Sequence, residues 1–418
     1  MKILVLGGGG REHALVWRLA QEHAHRLWCA PGNAGTLAVA ENLPIDPTDP
    51  AQALAAADQV DAELTIVGPE APLAAGIVDR FQTAGRRILG PTRAAARLET
   101  SKVWTKQFLL RHGLPTARAE AVGDASAARA ALGRFGLPAV LKADGLAGGK
   151  GVFVLTRPPD VDPVLELLFE RHMLGAAADQ VLVEECLTGP ELSLLAWVDG
   201  EHLAVMPAAR DYKRLLDGNH GPNTGGMGGY TRPVDAPPEL LERVERDILR
   251  PAVAAIAAEG TPYRGVLYAG LMLTGNGPKL LEFNCRLGDP EAQLILPLLQ
   301  SKLSELACAV TEGELDRLSV RWRPSVTCGV VLAAPGYPER PRLGGVIRGL
   351  ERVGEGVLVF HAGTRTAPEG GGLVTAGGRV LALVAEAASL PAARATVYGE
   401  AADIHFEGRQ LRTDIGRP

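Results

Sequence analysis

At 418 residues, with 46% hydrophobic and 22% charged side chains, the chain has the size and composition of a globular protein of about two to four domains. A net charge of -5 argues against nucleic acid or an anionic membrane as partner, and no apolar run approaches the ~20 residues that span a bilayer. Five cysteines scattered without a CxxC spacing suggest neither a disulfide framework nor a zinc knuckle, and a start that runs straight into glycines lacks the apolar core of a signal peptide, so a cytoplasmic protein is expected.

Residues 2–6 read as a buried strand entering Gly7, Gly8, Gly9 and Gly10, and residues 11–23 carry Ala14, Leu15, Leu19 and Ala20 at helical spacing. Backbone N–H groups at such a turn can face a phosphate. Glu12 stands where a dinucleotide fingerprint needs its third glycine, so the turn is either a phosphate or ribose cradle or a tight βα turn without a ligand. Strands at 27–30, 64–67 and 87–89 follow, each ending in a glycine-containing loop. This alternation predicts an α/β, doubly wound parallel sheet with ligands at the carboxyl ends of its strands.

A helix is expected over 101–112, capped by Ser101 and with Lys102 near its start. Residues 137–142 and 152–155 read as strands joined by a loop that holds Gly145, Gly148, Gly149, Lys150 and Gly151. A Walker loop would lead into a helix, and here Asp144 and Gly151 stand where its first glycine and its Ser or Thr belong. The loop therefore reads as a flap in which Lys142 and Lys150 neutralise a triphosphate; a hairpin with two solvated lysines is the alternative. Residues 181–187 form a strand that closes before Glu191, where free main-chain groups could take an adenine and Glu191 the ribose hydroxyls. Glu184 and Glu185 by themselves suit a solvated strand end. After a hairpin around Asp199-Gly200, residues 211–230 match no secondary structure, and their glycines with Asn223 and Thr224 favour a loop that closes over substrate.

A long amphipathic helix is expected over 239–259, then antiparallel strands at 265–274 and 279–284. On the second, Glu282, Asn284 and Arg286 alternate with Leu281, Phe283, Cys285 and Leu287, which puts three polar groups on one face and four apolar ones on the other. Glu and Asn are hard oxygen ligands suited to Mg²⁺, and the Arg could steady a phosphoryl oxygen or a carboxylate. A half-buried strand with a wet face is the alternative. Asp289-Pro290-Glu291 opens the next helix. Beyond Arg323-Pro324, in a stretch without lysine, strands at 326–333, 357–361 and 379–384, a helix near 390–398 and a last strand near His405 predict a small α+β module. Arg365, Asp414 and Arg417 are its polar candidates, expected at the surface.

Taken together, GGREHA at 9–14, APGNAG at 30–35, TIVGPEAPL at 65–73, KADGLAGGKG at 142–151, GPNTGGMG at 221–228, LYAGLM at 267–272 and EFNCRLGDPE at 282–291 resemble, in order, the phosphoribosylamine–glycine ligase family of the ATP-grasp superfamily. The resemblance implies an α/β and α+β multidomain chain: an amino-terminal substrate-binding domain at 1–99, an ATP-grasp domain at 100–322 with a flap-bearing lobe at about 118–187, and a carboxy-terminal α+β domain at 323–418. It implies ATP-dependent joining of glycine to 5-phosphoribosylamine through glycyl phosphate, a step of purine biosynthesis that releases ADP and phosphate.

By the same resemblance Glu282 and Asn284 would hold Mg²⁺ or Mn²⁺. Lys102, Lys142, Gly148, Gly149, Lys150 and Gly151 would contact ATP, with Glu184, Glu185 and Leu187 at the adenine and Glu191 at the ribose. Gly9, Gly10, Asn33 and Glu70 would face phosphoribosylamine. Asp211, Lys213, Asn223, Thr224, Arg286 and Asp289 would complete the substrate site, with Arg286, Lys150 and Asn223 catalytic. Two departures stand out. The family often has Asn where this chain has Gly8, and many ATP-grasp relatives carry a second acid on the strand before Glu282, where residues 266–273 have none. Another ATP-grasp carboxylate–amine ligase, a nucleotide-dependent oxidoreductase and a non-catalytic nucleotide binder are the competing readings. The expected partners are small molecules only, on a monomer or at most a weak homodimer.

Overall fold

The computed structural model describes residues 1–146, 151–171, 173–367 and 371–417. At the amino terminus five parallel strands are ordered Glu41–Asn42, Arg26–Pro31, Lys2–Gly7, Leu64–Val67, Ile88–Leu89. Successive side chains of Lys2–Gly7 point to opposite faces, and both faces are covered. Ile3 and Val5 pack with Ala14 and Leu15 of helix Gly10–Ala20, while Leu4 and Leu6 join the cluster of Ala53 and Phe81 on the other side. This is the expected doubly wound sheet. Its strand order reverses at Lys2–Gly7, which opens a crevice at the carboxyl ends of that strand and Leu64–Val67. The loop after it is packed for glycine: a Cβ at Gly8 would lie 2.6 Å from the carbonyl oxygen of Gly32.

Four antiparallel strands, ordered Ala119–Val122, Val181–Glu185, Ala139–Ala143, Val152–Leu155, form a small lobe with helix Ala125–Phe135 on its apolar face. The strand–loop–strand reading holds, with Lys142 opposite Val152. Gly148, Gly149 and Lys150 lie outside the described residues.

A larger antiparallel sheet runs Gly277–Asn284, Arg264–Thr274, Glu191–Asp199, Ala209–Asp211, Gly228–Thr231, Val326–Ala333, Arg379–Ala387, Val357–His361, with Leu203–Val205 beside Glu191–Asp199. It is continuous across the composition change at 323, because Gly228 and Gly229 meet Val330 and Gly329 in register. Val326–Ala333, Arg379–Ala387 and Val357–His361 therefore extend the central sheet, while Thr364–Thr366 and Leu373–Thr375 pair as a small separate sheet. A strand near His405 does not form; that residue makes a single bridge to Arg348.

Two local expectations need correction. Residues 211–230 are not a bare loop: Arg214–Leu216 and His220–Asn223 make a hairpin, and Gly228–Thr231 is a strand of the large sheet. Turn chemistry rather than apolar alternation builds that hairpin, and a distant residue secures it. Fully buried Arg412 donates to the Arg214 carbonyl at 3.1 Å and to Asn219 Oδ1 at 2.9 Å. Nor does Leu281 join the apolar face of its strand. Gly270 pairs with Glu282 and Leu271 with Leu280, so Leu281 is the extra residue of a bulge, and Leu280 takes its core place.

His13 clasps the amino-terminal domain to strand Val357–His361: its Nδ1 accepts the His361 backbone N–H at 2.8 Å, with the two rings 5.6 Å apart. Burial, helped by the neighbouring ring, pushes His13 down to about 3, and burial pushes His361 down to about 4. An unfolded imidazole titrates near ~6.5, so below that pH the unfolded chain takes up protons the fold refuses. The stability held by the clasp is complete above pH 6.5 and is lost as pH falls toward 4 and then 3. Melting temperature is accordingly expected to drop between pH 6.5 and 5, and to drop less steeply in His13→Gln. Equal slopes for both proteins would show that other groups drive the loss.

Candidate active site

The bulge at Leu281 turns its carbonyl toward the small lobe, where it accepts from Lys142 Nζ at 3.1 Å. The same ammonium pairs with Glu184 Oε2 at 2.8 Å, and Glu184 Oε1 lies 2.9 Å from Lys106 Nζ. Lys106 also donates to Thr116 Oγ1 at 2.7 Å. Glu184 is thus no solvated strand end: it is 2% exposed and locked between two lysines. Glu185 points the other way, onto Arg118 and Lys279 at 3.0 Å each. Both side chains are spent on cations. Leu187 follows Cys186 beyond the end of strand Val181–Glu185.

Helix Lys102–Arg111 starts as expected, with Ser101 Oγ accepting from the Trp104 N–H at 3.1 Å. Asp144, the residue that breaks the Walker pattern, ties this start to the flap strand by accepting from Val103 N–H at 2.7 Å and Ser101 Oγ at 3.0 Å. Lys102 Nζ reaches the Gly145 carbonyl at 3.2 Å. Lys102 and Lys142 therefore both face the flap side of the cleft.

Glu282 lies beneath them. Burial pushes its carboxyl up, but Lys213, Lys142, Lys102 and Arg286 together outweigh burial and hold it below the usual carboxylate range. Opposite it on the neighbouring strand sits Gly270, so the place of a second acid is vacant, as the sequence indicates. Across the cleft, Glu191 pairs with Lys213 at 2.7 Å. Burial pushes the Asp211 carboxyl up to about 7, Glu291, Glu191 and Glu282 adding to it and Lys213 opposing. Asn223 stands opposite Arg214 in the hairpin, and Thr224 Oγ1 donates to the Lys213 carbonyl at 2.8 Å, so that hydroxyl shapes the turn.

At the amino-terminal crevice Glu12 occupies the glycine turn, accepting from Gly9 N–H and from Arg11 Nε at 2.6 Å each. The helix start at Gly10 is closed by the chain's own carboxylate. Asn33 is a clip between domains: its Nδ2 donates to the carbonyls of Gly8, Gly9 and His361 at 3.0, 3.3 and 2.8 Å. Glu70 projects into the crevice and pairs with Arg286 Nε at 2.9 Å, with Arg11 at 3.9 Å. Arg286 also pairs with Glu99 at 2.9 Å and donates to the Leu287 carbonyl at 3.2 Å. Asp289 is held by Arg379 at 3.0 Å and Gln293 at 2.7 Å.

The fold thus brings Glu282, Asn284, Arg286, Lys102, Lys142, Lys213, Asp211 and Glu70 to one cleft, and turns Glu184, Glu185, Asn33 and Thr224 to structural partners. Sequence reading missed Lys106, Glu99 and Arg379. Lys106 lies four residues after Lys102, one helical turn on, which is a usable signal. Glu99 and Arg379 carry none, since each reaches its partner from a remote segment.

An antiparallel flap lobe facing a large sheet across a cleft lined by lysines and a half-buried carboxylate defines an ATP-grasp enzyme. Models of phosphoribosylglycinamide synthetase match three consecutive stretches, the N domain at 1–99, the ATP-grasp (A) domain at 100–292 and the C domain at 327–418, and the chain belongs to that family. It is 46% identical to the phosphoribosylamine–glycine ligase of Ralstonia nicotianae over 100% of this chain and 99% of the relative. To that of Caldanaerobacter subterraneus it is 44% identical, over 99% of each. The crystal structure of phosphoribosylamine–glycine ligase from Thermotoga maritima matches with a TM-score of 0.86 at 36% identity, covering 99% of this chain and 100% of that one. Biotin carboxylase from Campylobacter jejuni, at TM-score 0.75 and 17% identity over 99% and 94%, shares the fold alone.

Proposed function

We infer that this chain is an ATP-dependent carbon–nitrogen ligase that joins glycine to 5-phosphoribosylamine in purine biosynthesis, releasing ADP and phosphate. The observation that carries this reading is Glu282, kept ionised at the floor of a cleft by four cations, in a chain that matches phosphoribosylamine–glycine ligases from end to end.

A carboxylate is a poor electrophile, so a glycine oxygen first attacks the γ-phosphorus of ATP and ADP leaves. The amine of phosphoribosylamine then attacks the carbonyl carbon of glycyl phosphate, loses a proton, and expels phosphate. Lys102 and Lys142 are suited to the ATP phosphates, Lys142 being aimed by Glu184. The main chain at 186–187 suits the adenine, and Glu191 the ribose. The Asp211–Lys213 pair matches the ammonium and carboxylate of glycine, and Glu70, Gly9 and Gly10 suit the phosphoribosylamine side. Arg286 has three of its nitrogens already engaged, which makes it an organiser of the cleft as much as an oxyanion partner.

The donor set of Glu282 and Asn284, two hard oxygens with the carboxylate ionised, fits Mg²⁺ or Mn²⁺ with phosphate and water completing the shell. Bound there, the ion offsets charge on the transferring phosphoryl group. The turn at 224–227 is suited to keeping water from an acyl phosphate that would otherwise hydrolyse. The same role suits a cytoplasmic enzyme that meets only small molecules, as a monomer or weak homodimer.

A coupled assay for ADP tests the reading. ADP formation is expected to need glycine and phosphoribosylamine together, and to collapse when either is withheld. Equal turnover with a different carboxylate in place of glycine would point instead to another carboxylate–amine ligase.

A further inference from the structure

Arg286 lies beside both expected cation ligands. Its Nη2 is 3.4 Å from Asn284 Oδ1, and its charge is one of the four that act on Glu282. A guanidinium so placed competes for the lone pairs that a divalent cation needs. Two carboxylates draw it off: Glu70, about one-third exposed, on Nε, and Glu99, with 6% of its side chain exposed, on Nη2. Glu99 does a second thing, because its other oxygen accepts the Cys285 N–H at 2.7 Å. That peptide lies between Asn284 and Arg286. A single buried carboxylate thus grips both the backbone and the guanidinium next to the donor pair.

We propose that Glu99 is a positioning residue for the cation site: it fixes the backbone at Cys285 and takes the Arg286 Nη2 at 2.9 Å, leaving that nitrogen only a long 3.4 Å contact to Asn284 Oδ1, so that the oxygens of Glu282 and Asn284 remain available to the metal. This rests on the reading that Glu282 and Asn284 hold the cation. Residues that orient metal ligands from behind typically change metal affinity by about 10- to 100-fold when altered.

Mn²⁺, titrated by electron paramagnetic resonance into the full-length protein with ADP present, reads the site without turnover. Glu99→Gln keeps the shape and an acceptor for Cys285 but cannot pair with the guanidinium. It is expected to weaken Mn²⁺ binding by about tenfold or more, with kcat returning to within a few-fold of the unaltered protein once Mn²⁺ is saturating. Adding Arg286→Met removes the competitor, so the double variant should bind Mn²⁺ as tightly as Arg286→Met alone. Undiminished affinity in Glu99→Gln overturns the proposal, and so does a double variant as weak as Glu99→Gln. If Glu99→Gln folds poorly, Arg286→Met by itself decides: it should bind Mn²⁺ at least as tightly as the unaltered protein, and weaker binding overturns the proposal. Failure of the unaltered protein to bind Mn²⁺ would bring down the functional reading and this inference with it, whereas normal binding with an unresponsive Glu99→Gln removes this inference alone.

Discussion

Glu282→Gln is expected to lower kcat by about 10³-fold at saturating ATP, glycine and phosphoribosylamine, a loss of roughly 4 kcal/mol in the barrier. The substitution keeps the shape of the side chain and removes one negative charge. Four cations, Lys213, Lys142, Lys102 and Arg286, then face a neutral amide, and the donor pair keeps a single weak oxygen on each residue. Metal should bind poorly. Metal-free nucleotide, by contrast, should bind as well as before or better, because the uncompensated lysines still meet its phosphates. That opposite movement separates a cation ligand from a residue that merely props up the fold. The measurement is kcat together with ATP affinity in EDTA, checked against melting temperature. Normal turnover, or a parallel loss of metal-free nucleotide binding, would remove Glu282 from the role proposed for it.

The largest effect on stability is expected from Glu184→Gln, at about 3–5 kcal/mol. Glu184 is the anion set directly between Lys106 and Lys142, both of them buried. Burial already pushes the Lys106 ammonium below its ordinary value, and Glu184 opposes that push most strongly. Breaking a buried pair by neutralising one partner costs more than the pair contributes, because the charges left behind have lost both water and counter-ion. Hydrogen exchange of backbone amides, resolved by segment, should register the loss first in the small lobe, where Glu184 sits on the central pair of strands. Adding Lys106→Met to Glu184→Gln should recover part of it, since one stranded charge is then gone; a strictly additive double variant would mean that the ion pair is not the cause. The same substitution should raise the KM for ATP, as Lys142 loses the carboxylate that aims it.

Much of this molecule is legible from local pattern alone. Alternation at period two placed Glu282 and Asn284 on one face of a strand, with Arg286 just past its end at Asn284, and strand, glycine turn and helix announced the parallel sheet, since both features depend on residues a few positions apart. The ordered motifs carried the family as well, and the three matching domain models agree with them. Even the departure at Glu12 was visible, although not that its carboxylate would fill the glycine turn.

What the chain's own order does not reveal is partnership across distance. Periodicity assigns a side chain to a face, and topology alone says what stands opposite it. Arg286 could be read as free to meet substrate until Glu70 and Glu99, 216 and 187 positions earlier, were found holding it. Glu184 looked solvated until two lysines enclosed it. Leu281 looked buried until a bulge handed its carbonyl to Lys142. The carboxy-terminal segment looked separate until Gly228 and Gly229 let its first strand join the central sheet. In each case a charge or a strand edge must be satisfied somewhere, and only the folded chain determines by which remote residue.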